Sequence, residues 1–355
     1  MEEVTGAELG QMIDEDLDLD ATTAEGLTNH LPMALVAKAG LGAPAKELKR
    51  FARRYRRRLA PTNRATVTLT SASWRRAVGE REAYPDLVEY FDQSIATEGI
   101  EQTLRRHLDA LVDGISGAAF HGVIRLAYAL DVASPARVAT GLAYLSSSAT
   151  VLGSLEAGPA QSNDAGEIMR RLASETGPID EPVRTIDARM RLVAQRPEFA
   201  HVAGALEIND NTFQQLNAVA LRLYARTDDF TALHGVTGME AIGKIRPYVS
   251  DRARLDRAAF QALAAAYLTI GAPDFWSGDW PNSMVEVTAL DAEEVAARAA
   301  LSNDEHVAKI VFTSLRMSRD SPDDLYLAVA ERAVHEDRTN SSSEMSASSD
   351  APRCE

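Results

Sequence analysis

A chain of 355 residues with 45% hydrophobic and 25% charged side chains has ordinary globular composition and can bury a large core, which excludes a fibrous or wholly disordered class. Its net charge of −15 repels phosphate backbones, so nucleic acid is not expected as a partner. The single cysteine, Cys354, lies at the end of a polar stretch and supports neither a disulfide framework nor a thiolate metal site, so any metal would need nitrogen and oxygen ligands.

In chain order, "MEEVTGAELGQMIDEDLDLD" is acidic where a secretory signal would be basic and then apolar, and no run of eighteen apolar residues occurs. The expectation is a soluble, cytoplasmic protein with no membrane span, opened by an acidic segment over residues 1–26. A helix is predicted over 32–39, with His30 ahead of it in "TNHLPM" and Pro32 fixing the entry angle. "KELKRFARRYRRRL", 46–59, carries Lys46, Lys49, Arg50, Arg53, Arg54, Arg56, Arg57 and Arg58, while Leu48, Phe51, Tyr55 and Leu59 recur at helical spacing. It reads as an amphipathic helix whose basic outer face is either paired with nearby acids or open to an anionic partner or cofactor. "ATVTLTS", 65–71, is the only extended run.

Helical periodicity then continues over 84–96, 100–111, 118–131, 136–146, 165–175, 184–195, 213–224, 229–245, 256–269, 291–301, 304–318 and 323–335. Breakers such as Pro61, Pro135, Pro182, Pro247 and "GAPDFWSGDWPNS" separate these stretches by short loops. The fold class expected is all-α, a large multi-helix bundle with no significant sheet. Residues 27–336 form a single helical catalytic domain in this reading, with 151–182 as the place for a seam between halves. From Asp337 the polar sequence lacks the apolar residues that offset ordering entropy and is expected to be a disordered tail.

Several helical enzyme classes fail on their motifs. "DDFTA" at 228–232 offers Asp228 and Asp229 but Ala232 where a terpene cyclase needs its third acid, and no histidine is followed by aspartate. A di-iron bundle needs two Glu-x-x-His turns, and only Glu198 with His201 is present. "GLGAPA" at 40–45 follows a helix rather than a strand and reads as a helix terminator, not a dinucleotide fingerprint.

Four histidines stand out: His30, His121 in "AAFHGVIRLAYAL", His234 in "TALHGVTGME" and His306 in "NDEHVAKIV". A lone histidine on an apolar face is usually a satisfied core residue, but four on four helices, two of them in a His-Gly-Val setting, point to imidazoles converging on a divalent first-row metal such as iron, copper or zinc. The glycines after His121 and His234 would let backbone or ligand approach the rings. His107, His201 and His335 lie in charged or mixed stretches and read as surface or incidental. Lys309, three residues after His306, shares its helical face. The ordinary reading is a solvent-facing lysine on a helix; beside imidazoles that bind a cation, it would instead lose its proton in a desolvated pocket or react with carbon dioxide to give an oxygen ligand.

"TNHLPMALVAKAGLGAP", "AAFHGVIRLAYAL", "TALHGVTGMEAI" and "NDEHVAKIVFTSLR", in this order and with Trp280 ahead of the last, resemble the questin oxidase-like family over about residues 27–318. The resemblance implies oxygenases that use dioxygen to open the quinone ring of an anthraquinone-like polycyclic polyketide, some of them described as Baeyer-Villiger-type. It also implies a mononuclear non-haem Fe(II) held by His30, His121, His234, His306 and a carboxylated Lys309, the carbamate supplying the negative charge of a carboxylate ligand. Arg125 and Tyr128, four and seven residues after His121, are candidates to hold substrate oxygens, with a buried ion pair and a core tyrosine as the structural alternatives. Trp276 and Trp280 either stack on a flat substrate or cap the core. NADPH stays open as a cofactor, used directly or through a reductase partner. Two further readings compete: a metal-free, NADPH-dependent Baeyer-Villiger monooxygenase with histidines as acid and base, and a non-enzymatic helical ligand-binding protein.

Overall fold

The computed structural model describes residues 4–156, 158–177, 183–274, 290–321 and 323–349, with side chains up to 337. Among them run sixteen α-helices: α1 (Gly6–Asp14), α2 (Leu31–Gly40), α3 (Ala45–Tyr55), α4 (Tyr84–Glu98), α5 (Ile100–His107), α6 (His121–Val132), α7 (Pro135–Ser147), α8 (Ala165–Thr176), α9 (Ile186–Ala194), α10 (Val202–Ala205), α11 (Thr212–Thr227), α12 (Phe230–Ile245), α13 (Arg252–Thr269), α14 (Ala292–Leu301), α15 (Glu305–Asp320) and α16 (Leu325–Ser349). The fold is all-α, with one small antiparallel pair, β1 (Leu19–Thr23) against β2 (Leu59–Pro61). No helix among the described residues is long and apolar enough to cross a membrane.

Four helices form the centre. Contacts run from α2 to α6, α6 to α12, α12 to α15 and α15 back to α2, a closed cycle. Burial follows from composition: α2 is buried from Leu31 to Lys38 and α12 from Thr231 to Ile242, because both are apolar around nearly their whole circumference. Outer helices complete the core, α7 and α4 on the α6 side, α11 and α13 beside α12, and α14 and α16 against α15.

The extended run at 65–71 is not a strand. Its backbone is held instead by a side chain, since Asp86 Oδ1 accepts the N–H groups of Thr66 (2.6 Å) and Val67 (3.0 Å). The strand pair uses Leu19–Thr23 from the acidic segment, which also supplies α1; Thr5 caps α1 through a reciprocal bond with Glu8. α16 continues past residue 337, and Cys354, Trp276 and Trp280 lie outside the described residues.

His107 is a correction to the surface assignment. It is 1% exposed, wedged among Trp74, Tyr90 and Phe91 with ring centroids 4.9, 5.6 and 5.2 Å away. Nδ1 donates to Thr103 O (2.7 Å) and Nε2 accepts from Tyr90 Oη (2.9 Å), so both nitrogens are satisfied and burial lowers its pKa. The charged neighbours Arg105 and Arg106 masked it, because they occupy the opposite face of one helix turn.

Candidate metal centre

Each helix of the central cycle brings one histidine. His30 is the N-cap of α2, His121 the first residue of α6, His234 lies in the second turn of α12, and His306 in the first turn of α15. Their rings close a loop: His30 to His121 4.7 Å between centroids, His121 to His234 4.5 Å, His234 to His306 5.8 Å, His306 to His30 4.7 Å.

Local chemistry aims each ring. Asn29 Oδ1, not the His30 side chain, accepts the Leu31 N–H (3.0 Å), and the His30 N–H donates to Tyr55 Oη (3.0 Å), so the imidazole is free of capping work. His121 follows Ala118, Ala119 and Phe120, three residues in a row with positive φ (49°, 54°, 67°), and its Nδ1–H donates to Ala118 O (2.5 Å). Asp187, itself buried, accepts the Ala118 N–H (3.1 Å) and so anchors that turn. His234 Nδ1–H donates to Phe230 O (2.7 Å), and His306 Nδ1–H donates to Asp304 Oδ1 (3.0 Å).

These bonds fix the tautomers. With Nδ1 donating in His121 and His234, each neutral ring presents a lone pair at Nε2, and the two Nε2 atoms face each other at 3.1 Å. Two acceptors at that distance repel unless a cation lies between them. Nitrogen ligands about 2.1 Å from a first-row ion and roughly at right angles stand about 3 Å apart, so the donor set fits a metal. His306 Nε2 is buried with no hydrogen-bond partner. Burial first, then the Lys309 charge, pushes His30 and His121 well below the ordinary imidazole range; burial, then His121 and Lys309, do the same to His234. At His306 burial outweighs the raising effect of Asp304. All four are therefore neutral donors near pH 7.

Lys309 is fully buried, its Nζ 3.3 Å from His30 Nδ1, and burial brings its pKa down to about 8 against the raising influence of Glu305 and Asp304. Glu305 went unnoticed in the sequence. It is 9% exposed, pairs with Arg58 (3.3 Å), and its carboxylate falls within 4.8 Å of donor atoms of both His30 and His306, a trio that leaves His121 and His234 outside. Its signal was available, since Glu305 stands four residues before Lys309 on α15.

Arg125 and Tyr128 sit elsewhere. Arg125 donates to Asn29 O (3.3 Å) and lies over the Tyr144 ring, while Tyr128 packs on Phe312. Together with Pro32, Met33 and Arg137 they line a cavity of about 10 Å³, room for one water and bordered by no imidazole. The glycines after the histidines serve helix packing: a Cβ on Gly122 would lie 2.9 Å from Leu145 Cα of α7, and one on Gly235 would lie 3.2 Å from Leu263 of α13. Phe230, half exposed, stands edge-on to both His234 and His306 at 4.6 Å.

A family model described as questin oxidase-like matches residues 27–313, which span all four histidines and Lys309. The chain belongs to the questin oxidase-like family. A questin oxidase from Aspergillus terreus (strain NIH 2624 / FGSC A1156) is 25% identical over 329 residues, covering 80% of this chain and 73% of that one. The matched span begins three residues before His30 and ends four after Lys309, so the questin oxidase-like region takes in the histidine-bearing part of the central helix cycle and leaves α1, β1, the end of α15 and all of α16 outside it.

Proposed function

We propose that the protein is an oxygenase that opens a ring of an anthraquinone-like polyketide with dioxygen, at a ferrous ion held by His30, His121, His234, His306 and a carboxylated Lys309. Membership of the questin oxidase-like family supports the substrate and reaction class. The observation that carries the metal is the opposed pair of Nε2 lone pairs on His121 and His234. His107 provides the contrast within the same chain: a structural histidine has both nitrogens partnered by protein, and this pair does not.

When bound, ferrous iron supplies the means for triplet dioxygen to react with a singlet aromatic ring. The chain's residues prepare for it. Desolvation keeps the imidazoles unprotonated, and Asp304 orients His306 through its Nδ1–H. The depressed pKa of Lys309 leaves an appreciable neutral amine fraction, which adds to carbon dioxide to give a carbamate and one released proton. The product is an anionic oxygen ligand where an ammonium would repel the metal. The half-exposed face of Phe230 offers a flat substrate a stacking surface beside His234 and His306. A metal-free mechanism with histidines as acid catalysts needs a protonated ring near neutral pH, and burial opposes that at all four.

The test is turnover of a hydroxyanthraquinone under labelled dioxygen, with protein loaded anaerobically with ferrous iron and supplied with a chemical electron donor, and with metal-free protein plus NADPH. Oxygen incorporation and ring opening only in the iron-loaded sample are expected. Equal turnover by the metal-free protein with NADPH would overturn the reading.

A further inference from the structure

Residues 46–58 gather eight cations against one carboxylate, a local charge of +7 in a chain of net charge −15. Some of these charges are spoken for: Arg50 pairs with Glu47, Arg56 with Glu15 and Asp16, and Arg58 with Glu305. Lys46, Lys49, Arg53 and Arg57 are exposed, and none has an ion-pair partner among the described residues. Their spacing makes a stripe of about 16 Å along one side of α3 and the turn behind it. Lys46, Lys49 and Arg53, with Glu8 and Glu15 opposite, border an open groove of about 720 Å³ between α1 and α3.

The other side of α3 lies on the histidine cluster. Tyr55 Oη accepts the backbone N–H of His30 (3.0 Å), Arg54 Nη2 donates to Asn303 O (2.5 Å), and Arg58 holds Glu305. The basic stripe is thus separated from His30 by the thickness of one helix. Its cations diverge from a convex helix instead of converging on one point, which suits a broad acidic protein surface better than a single phosphate.

We propose that this face docks an acidic one-electron carrier protein. The inference rests on the oxygenase reading above. Inserting one atom of dioxygen into the substrate and releasing the other as water consumes two electrons and two protons, and the carrier supplies the electrons in two single transfers. Complementary charge steers the encounter and places the carrier one helix away from His30, which Tyr55 of α3 touches.

The probe is a reduced, acidic [2Fe–2S] ferredoxin, titrated calorimetrically into the full chain, metal-free and iron-loaded, at low and high salt. The comparison is the variant Lys46→Glu/Lys49→Glu/Arg53→Glu/Arg57→Glu, which alters no residue of the histidine cluster. Salt-sensitive binding is expected, weakened roughly tenfold or more in the variant, with iron content and melting temperature unchanged. Ferredoxin-driven reduction of the oxidised iron protein should slow by a similar factor, while reduction by the small neutral reductant hydroquinone stays the same. Equal binding by variant and parent, or capture by phosphatidylserine vesicles without ferredoxin binding, would overturn the proposal. Binding to metal-free protein is read independently of iron, so failure of the iron site and failure of docking are distinguishable.

Discussion

Lys309 shows at the scale of one residue how the site opposes stability. Its buried amine has a pKa near 8 in the folded protein, against about 10.4 for an unfolded lysine. Between those values the unfolded chain binds the proton and the folded one does not, so this group makes metal-free protein more stable as pH rises from 8 towards 10.5, and its destabilising effect is complete below 8. Lys38, buried under Phe51 with its Nζ on Ser302 O, also has a pKa near 8 and adds a similar slope. Lys309→Met should therefore stabilise the metal-free protein at pH 7 by about 1–3 kcal/mol and roughly halve the alkaline gain, measured by urea denaturation across pH. Destabilisation at pH 7 would show that the amine is satisfied as it stands. Phe230→Ala should leave iron content intact and raise KM for a flat aromatic substrate several-fold with kcat nearly unchanged; loss of iron would assign the ring to holding His234 and His306 in place. The histidines and Lys309 could be picked out in the sequence because they break apolar helices. Glu305, despite its place four residues before Lys309, and Tyr55 were harder to single out, because a carboxylate at a helix start and a tyrosine at an apolar position each have an ordinary reading.

The element that aims His121 was not visible in the sequence at all. Ala118, Ala119 and Phe120 occupy the left-handed region without a glycine among them, each at a cost of about 1–2 kcal/mol. Nothing in "GAAFHG" announces such a turn, and periodicity placed the helix start at 118 rather than at His121. The turn is held by Asp187 on one side and by Phe120 packed on α12, where a Cβ on Gly238 would meet the Phe120 ring at 2.7 Å. Ala118→Gly or Ala119→Gly should raise stability by about 0.5–1 kcal/mol, since glycine enters this region freely. Gly238→Ala and Gly117→Ala should lower it by more than about 2 kcal/mol; the added Cβ at 117 would sit 2.0 Å from Ser148 O. Denaturation midpoints check both signs, and a loss on Ala118→Gly would contradict the strain argument.

For the whole molecule, most helices were legible from 3.6-residue periodicity and the breakers gave most boundaries to within a few residues, but α1 in the acidic opening segment and the short α10 were not expected, and α16 runs well past the expected 335. Assembly was not. That α2, α6, α12 and α15 close a cycle depends on contacts between stretches up to 279 residues apart, as in the His30–Lys309 pair, and no local pattern encodes those. The short sheet was missed for a related reason: β1 lies in an acidic segment, and the β-rich run at 65–71 is held by Asp86 instead of a partner strand. The cycle has value for function only if its four imidazoles share one ion. The most direct measurement is iron content of untagged, full-length protein after anaerobic incubation with ferrous iron, beside His121→Ala, His234→Ala and, as a buried control, His107→Ala. About one iron per chain, lost in both folded site variants and kept in His107→Ala, is the predicted result. A folded parent protein that remains empty would contradict the metal centre.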